Sequence, residues 1–251
     1  MSTIEPATRF TLDVDLLEDH HIHSTFSDGK GTLQSNLDAG IAAGMNTLGF
    51  VDHARIDTDW LPDYLLAARA IAKRAPMTIT CGVEVKILDT TGAIDAPDDA
   101  QLVDRLVIAD HQMPLEDGVH HPAAIRTDIE EGRRDGALVI EQLLESTMQA
   151  ARRNPGSTLA HLFSILPKSG LDESMVTAEQ LDALARALVA ADVSVELSER
   201  WQCPGPVALA AFHRAGTKLI ASTDSHRSET IGQYNWVRAT ISETEALLAR
   251  T

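Results

Sequence analysis

The sequence has few cysteines, no long apolar run and no apolar segment at its start, and each shortage excludes a class of protein. Only two of the 251 residues are cysteines, Cys81 and Cys203, which argues against a disulfide framework and favours a reducing compartment. No uninterrupted apolar run approaches the roughly 18 residues that a membrane span needs. Residues 1–9 are polar, so neither a secretory signal nor a transit peptide is expected there. These shortages predict a cytoplasmic protein with no membrane partner.

Basic residues are also scarce relative to acidic ones. Lysine and arginine number 21 against 37 aspartates and glutamates, which gives a formal net charge of −16. A field of this sign repels phosphate backbones, so nucleic acid is not expected as a partner. Hydrophobic residues at 44% and charged residues at 23% are ordinary for a soluble globular protein and exclude a disordered chain, a collagen-like fibre and a coiled coil.

Strand and helix patterns alternate along the chain, the order typical of a parallel sheet covered by helices. Strands are predicted within residues 14–23 and at residues 47–52, 77–87, 105–110, 157–161, 193–197 and 218–222. Helices are predicted at residues 32–43, 63–75, 138–153, 177–191, 207–215 and 243–250, and residues 113–125 are expected to form a loop beside the active site. Seven βα units predict one α/β domain over residues 1–251, a closed or nearly closed barrel.

Histidines and carboxylates concentrate where the predicted strands end. In chain order these residues are His21, His23, His53, Glu84, His111, His161, Asp224 and His226. The carboxyl ends of parallel barrel strands open onto one face, where active sites are built. Because neutral imidazole and ionised carboxylate are the ligands of Zn²⁺, Fe²⁺ and Mn²⁺, the positions predict a divalent metal site at one rim.

Several short motifs resemble those of the polymerase and histidinol phosphatase (PHP) family. They are residues 19–24 (DHHIHS), 27–29 (SDG), 51–53 (VDH), 82–84 (GVE), 160–161 (AH) and 222–226 (STDSH), so the resemblance runs in order from Asp19 to about Gly232. It implies a distorted, TIM-like (β/α)7 barrel that carries two or three divalent ions, Zn, Mn or Fe, at the C-terminal ends of the strands.

Carried onto this sequence, the resemblance implies nine metal ligands in three sets. The first ion would be held by His21, His23, Glu84 and Asp224, the second by Glu84, His111 and His161, and the third by Asp28, His53 and His226. Glu84 would therefore bridge two ions. The residues around His111 match the family motif more loosely than the others do.

The implied activity is metal-dependent hydrolysis of a small phosphate ester, of the histidinol-phosphate or nucleotide phosphatase type. A hydroxide bridging two ions would attack phosphorus, and Glu84, Asp224 and His226 are the candidate catalytic residues. A hydrolase of the same fold acting on a phosphodiester or a non-phosphate bond stays open, because fold and metals do not fix the substrate. A nuclease or a non-catalytic metal-binding module is less favoured, and the expected partner is a small anionic substrate.

Cationic side chains near the ligands are expected to hold the substrate phosphate. The candidates are Lys86, Arg200, Arg55, Arg227 and Lys168. Lys86 lies two residues after Glu84 and shares its inward face if the strand continues.

Other residues near the predicted rim are given supporting roles. Glu196 is expected to point into the barrel as a buried carboxylate, bonded to ligand histidines or to Arg200, and Asp19 and Asp52 could orient imidazoles in the same way. The Ser24, Ser27 and Ser225 hydroxyls are interpreted as hydrogen-bonding neighbours of the ligands. Trp60, Tyr64 and Trp201 could shape a pocket, but packing in the core or on the surface is the favoured expectation for each. His120 and His121 are candidates for substrate contact.

Overall fold

Seven parallel strands form the central sheet of the protein. The computed structural model describes residues 11–250, so the polar residues 1–9 lie outside the described residues. In chain order the strands are β1 (Glu18–Ile22), β2 (Thr47–His53), β3 (Thr78–Lys86), β4 (Arg105–Ala109), β5 (Met113–Leu115), β6 (Gly118–His120), β7 (Thr158–Leu159), β8 (Ser194–Ser198) and β9 (Leu219–Ser222). The parallel sheet has the order β1-β2-β3-β4-β7-β8-β9, whereas β5 and β6 form a separate antiparallel hairpin.

The sheet curves into a nearly closed barrel, as the sequence predicted. Its first and last strands meet just past their carboxyl ends, where the His23 amide donates to the Ser225 carbonyl at 2.8 Å. The Ser225 amide in turn donates to the His21 carbonyl at 3.2 Å. The seam therefore closes at two candidate ligands, His21 and His23, and at Ser225, which lies between two more, Asp224 and His226.

Helices cover the outside of the barrel. They are α1 (Leu33–Ala42), α2 (Leu61–Ala72), α3 (Pro122–Glu130), α4 (Gly136–Arg153), α5 (Ala178–Ala190), α6 (Pro206–Ala215) and α7 (Trp236–Leu248). Helix α5 begins with a capping box, because Thr177 and Gln180 exchange side-chain and backbone hydrogen bonds at 3.2 and 2.9 Å. None of the helices within residues 11–250 is both long and apolar enough to cross a membrane.

Small apolar side chains fill the middle of the barrel beneath the candidate site. Val51, Val107, Ala109 and Ala160 form a cluster of their own, separate from the larger core between the strands and the helices. Side chains alternate along a strand, so Val51 shares the inward face of His53. The polar ligands consequently lie above a buried, packed apolar layer.

The expectation of a loop at residues 113–125 is wrong. Residues 113–120 form the β5–β6 hairpin, and α3 begins at Pro122. Proline is well suited to the first turn of a helix, and the His121 side chain accepts a hydrogen bond from the Ala123 amide at 3.2 Å as the N-cap. Of the two prolines in this stretch, Pro114 therefore belongs to the hairpin and Pro122 to the start of the helix.

Two element boundaries also differ from the prediction. The terminal helix α7 starts at Trp236 instead of residue 243, because the Glu199 carboxylate, distant in sequence, accepts from the first amides of the helix. The fifth parallel strand, β7, contains only Thr158 and Leu159. His161 follows it with a positive φ of 29°, which ends the strand early.

Candidate metal centre

Glu84 lies at the centre of a group of imidazoles at the carboxyl end of β3. Its Oε1 atom is 3.1 Å from His111 Nε2 and 3.0 Å from His161 Nε2, and its Oε2 atom is 2.8 Å from His53 Nδ1, 3.4 Å from His21 Nε2 and 3.5 Å from His23 Nε2. Each of the two oxygens therefore faces its own set of nitrogens. A carboxylate placed in this way can bridge two cations.

Two aspartates complete the group on the side of the barrel seam. Asp224 Oδ1 is 3.0 Å from His23 Nε2 and 3.3 Å from His226 Nδ1. Asp28 Oδ2 is 3.2 Å from His226 Nε2, and its Oδ1 is 3.7 Å from His53 Nε2. All nine residues that the resemblance implied as ligands thus lie together at one rim.

The chain is shaped locally to bring these aspartates inward. A Cβ atom on Gly29 would lie 2.5 Å from the backbone of His23, so the glycine lets the loop that carries Asp28 pack against β1. Asp224, with φ 49°, and His161, with φ 29°, adopt the left-handed region that non-glycine residues rarely occupy. Such conformations persist where the surrounding structure requires them, often at functional sites.

The buried carboxylate of Glu196 supports His21 from below, as predicted. Both of its oxygens lie 3.1 Å from His21 Nδ1, and Ser222 Oγ donates to Oε2 at 3.1 Å. Glu196 is fully buried. Within residues 11–250 its hydrogen-bond partners are His21 and Ser222, and it makes no hydrogen bond with Arg200. With Nδ1 engaged, His21 presents Nε2 to the centre of the site.

Asp19 and Asp52 accept hydrogen bonds from loop residues and not from the imidazole rings of the ligands. Asp19 accepts from the Thr223 amide and hydroxyl at 2.9 and 2.6 Å and from the Gly232 amide at 3.0 Å. Burial raises the pKa of Asp19 to about 6, and the Thr223 hydrogen bonds oppose that rise. Asp52 accepts from the hydroxyls of Ser24 and Ser27, both at 2.6 Å. The prediction that these two carboxylates orient ligand histidines is therefore wrong.

The donor atoms fit divalent cations. Three groups have their ligand atoms within 4.8 Å of one another: His23, Asp28, His53 and His226; His21, His23 and Glu84; and His53, Glu84 and His111. Within residues 11–250, buried atoms of this cluster lack a well-aligned hydrogen-bond partner, among them His21 Nε2, His23 Nδ1 and Glu84 Oε2. Buried polar atoms are rarely left unpaired, so their convergence fits ligation of ions by imidazole and carboxylate.

Charge coupling within the cluster is strong. Burial alone would raise the pKa of Glu84, but the charges of His21 and His111 hold it well below its usual range. Burial opposes charge on His21, yet Glu196 and Glu84 hold its pKa well above the usual range. Burial likewise opposes charge on His161, while hydrogen bonding to Asp110 and Glu84 raises its pKa to about 10. The neighbouring carboxylates therefore favour the protonated forms of His21 and His161.

A cavity of about 450 Å³, which we name the metal cavity, opens above these ligands. Three of the five predicted cationic side chains line it: Arg55, Lys86 and Arg200. Lys86 is also 3.4 Å from Asp95, and Arg200 donates to the Asp224 carbonyl at 3.3 Å and contacts the His226 ring. Arg227 lies outside the metal cavity, and Lys168 Nζ sits 3.7 Å from the centre of the Trp201 ring.

Trp201 lies in the site, although the prediction favoured core or surface packing for it. This residue lines the metal cavity, and its indole Nε1 donates to Asp224 Oδ2 at 2.5 Å. The sequence signal for this place was its predicted loop position after Arg200. Trp60 and Tyr64, by contrast, pack with Phe26 as predicted. His120 pairs with Asp117 at 2.9 Å, and neither His120 nor His121 lines the cavity.

Replacing Trp201 by phenylalanine tests its contact with Asp224. The indole hydrogen bond holds Oδ2, so its loss should free the carboxylate to rotate and weaken metal binding about 10- to 100-fold, the usual effect of removing a partner of a ligand. Metal titration followed by calorimetry measures this affinity. Trp60→Phe is the matched control, because that ring packs on Phe26 and Tyr64. Equal affinities of Trp201→Phe and the unaltered protein would contradict the assignment.

The fold and the centre define a barrel protein with a candidate metal site, and sequence comparison identifies its family. The sequence model of the PHP domain matches residues 19–200, so the chain belongs to the PHP domain family. A curated relative from Eggerthella lenta, phosphoribosyl 1,2-cyclic phosphate 1,2-diphosphodiesterase, is 35% identical over 74 residues. That alignment covers 30% of this chain and only 26% of the relative.

Two solved structures share the fold over most of their length. Histidinol phosphate phosphatase from Lactococcus lactis subsp. lactis, complexed with Zn, L-histidinol and phosphate, is 18% identical and superposes with a TM-score of 0.65. The alignment covers 93% of this chain and 92% of that one. A protein from Listeria monocytogenes assigned as a histidinol phosphatase is 16% identical, covers 86% of this chain and 97% of its own, and has a TM-score of 0.62. At these identities the likeness establishes the fold.

Proposed function

We propose that the protein is a metal-dependent hydrolase of small phosphate esters. The observation that carries the proposal is the convergence of three carboxylates and six imidazoles beneath a cavity lined by Arg55, Lys86 and Arg200. The donor set suits Zn²⁺, Mn²⁺ or Fe²⁺, and the cations suit a phosphate. A small anionic substrate matches both, whereas the net charge of −16 disfavours a polynucleotide.

The residues that would hold two or three ions are those the resemblance implied. They are His21, His23, Asp28, His53, Glu84, His111, His161, Asp224 and His226. When bound, such ions lower the pKa of water and neutralise charge that develops on phosphate oxygens.

The buried residues Cys81 and Cys203 are both free thiols, which supports the cytoplasm as the compartment. Residues 1–251 are proposed to form one domain.

The side chains of this protein have separate tasks in such a site. Glu84, Asp224 and His226 are proposed as catalytic residues because their donor atoms face the space where the ions and the phosphate would meet. Glu196 fixes the ring of His21, and Trp201 fixes Asp224. Arg200 and Lys86 would orient the phosphate from the wall of the metal cavity. Arg55 lines the same cavity.

A phosphodiester substrate is the second candidate function. The Eggerthella lenta relative bears the name of a cyclic phosphate diesterase, and its aligned segment is more similar to this chain than either structural neighbour is. The metal cavity of about 450 Å³ has room for a cyclic diester as well as for a monoester. Both candidates use the same ligands, so the substrate alone separates them.

A phosphate-release screen tests the proposal. Protein loaded with Mn²⁺ or Zn²⁺ is incubated with a panel of monoesters, and with cyclic diesters followed by detection of the ring-opened product. We expect turnover of at least one member of the panel. Turnover of the diesters alone would favour the second candidate, and no turnover of any phosphate ester would contradict both.

A further inference from the structure

A second cavity of about 400 Å³, which we name the side cavity, adjoins the metal cavity. The two share a wall made of Arg200, Asp224 and His226. The rest of the side cavity is lined by Glu199, Thr223, Arg227, Thr230, Gln233 and Asn235. A phosphate held at the ions would therefore have the side cavity next to it, where the alcohol part of an ester could extend.

The free polar groups of the side cavity are a cation and an amide. Arg227 is 3.7 Å from Glu229, but both side chains are about two-thirds exposed, so this ion pair is weak and exchangeable. Within residues 11–250 the Asn235 side chain makes no hydrogen bond and does not cap α7. A guanidinium binds acid groups in a bidentate manner, and an amide can bind a hydroxyl group as donor or acceptor.

The carboxylate of Glu199 is not available to a ligand. Its Oε1 accepts from the amides of Asn235 and Trp236 at 3.0 and 2.9 Å, and its Oε2 accepts from Val237 at 2.9 Å. These amides belong to the N-terminus of α7, whose dipole compensates the negative charge. The other carboxylate of the wall, Asp224, is turned towards His23 and Trp201. Among the residues that line the side cavity, an ammonium group would meet Arg227 and Arg200 but no free carboxylate.

The side cavity also lacks a surface on which a base could stack. Among the residues that the structure describes, its lining includes no phenylalanine, tyrosine or tryptophan. Stacking on aromatic rings is a principal means of holding a nucleobase. Hydroxylated, non-aromatic groups suit this lining better.

We propose, on the basis of the phosphoester hydrolysis proposed above, that the side cavity binds the alcohol part of the substrate and that this part is a polyol carrying a second acid group. Arg227 holds the second acid, and the Asn235 amide holds a hydroxyl group. A sugar bisphosphate has this chemistry. A cationic amino alcohol, such as the one released from histidinol phosphate, does not.

Steady-state kinetics on four probes tests the proposal: fructose 1,6-bisphosphate, fructose 1-phosphate, histidinol phosphate and phenyl phosphate. We expect the highest kcat/KM for the bisphosphate. Arg227→Gln should lower kcat/KM for the bisphosphate about 10- to 100-fold, mainly through KM, with a much smaller effect on phenyl phosphate. Arg227→Lys should recover part of the loss. Arg238→Gln removes an exposed arginine from α7, outside the side cavity, and serves as the matched control.

The outcomes separate this inference from the proposed function. Histidinol phosphate hydrolysed as well as the bisphosphate, or an equal loss on all four probes in Arg227→Gln, would overturn the side-cavity assignment while leaving the phosphatase proposal intact. No hydrolysis of any probe, phenyl phosphate included, would overturn both.

Discussion

Replacing Glu84 by glutamine is expected to lower phosphate release on the order of 1,000-fold, well beyond the 10- to 100-fold typical of a residue that only supports a ligand. Glu84 presents one oxygen to His111 and His161 and the other to His53, His21 and His23. Glutamine keeps the size of the side chain but replaces one oxygen by an NH₂ group, which cannot ligate a cation. The metal content should fall together with the rate.

The control for this substitution is Glu116→Gln, which removes an exposed carboxylate from the β5–β6 hairpin. Metal content by atomic emission and kcat by phosphate release should both match the unaltered protein. Circular dichroism checks that Glu84→Gln is folded. A folded Glu84→Gln protein with more than about a tenth of the original kcat would show that Glu84 is not a bridging ligand.

Metal affinity is expected to rise steeply with pH. In the metal-free protein burial opposes the charge of His161, but hydrogen bonding to Asp110 and Glu84 raises its pKa to about 10. A metal can bind only the neutral imidazole, so at any pH below 10 ligation must release the proton of His161. Each released proton makes the apparent affinity about tenfold stronger per pH unit, or about 100-fold between pH 6 and pH 8.

Calorimetric titrations of Mn²⁺ at pH 6, 7 and 8, in buffers of different ionisation enthalpy, measure both the affinity and the number of protons released. At least one proton per chain should appear in the buffer at pH 7. His213, whose ring is on α6 away from the ligands, gives a control variant, His213→Gln, with an unchanged proton count. Affinity independent of pH would contradict the view that His161 is a ligand.

The sequence was sufficient to predict the barrel because the relevant signals are local and repeated. Strands such as 47–52 and 105–110 are short apolar runs, and α5 carries its capping box in its own sequence. The strand-end position of His53 and Glu84 follows directly from those runs, since the carboxyl ends of parallel strands share a face. The convergence of the strand-end ligands could therefore be predicted from the sequence.

The remaining features depend on contacts between residues distant in sequence. The start of α7 is set by Glu199, on the segment after β8, and no local cap signals it. Trp201, which follows β8, enters the site because Asp224, which follows the neighbouring strand β9, offers it an acceptor. Asp19 binds Thr223 across 204 residues, so its role could not be inferred from its neighbour His20 or His21. Such contacts form only when the barrel closes, so the local sequence does not predict them.

The most direct test of the central claim is the rate of phosphate release as divalent ions are added back to chelator-treated protein. The rate on the best substrate of the screen should be below about 1% of the original without metal and should recover to a plateau at two or three ions per chain. Phosphate release that persists undiminished in the fully chelated protein, or that stays absent when the ligands are fully loaded, would contradict the account.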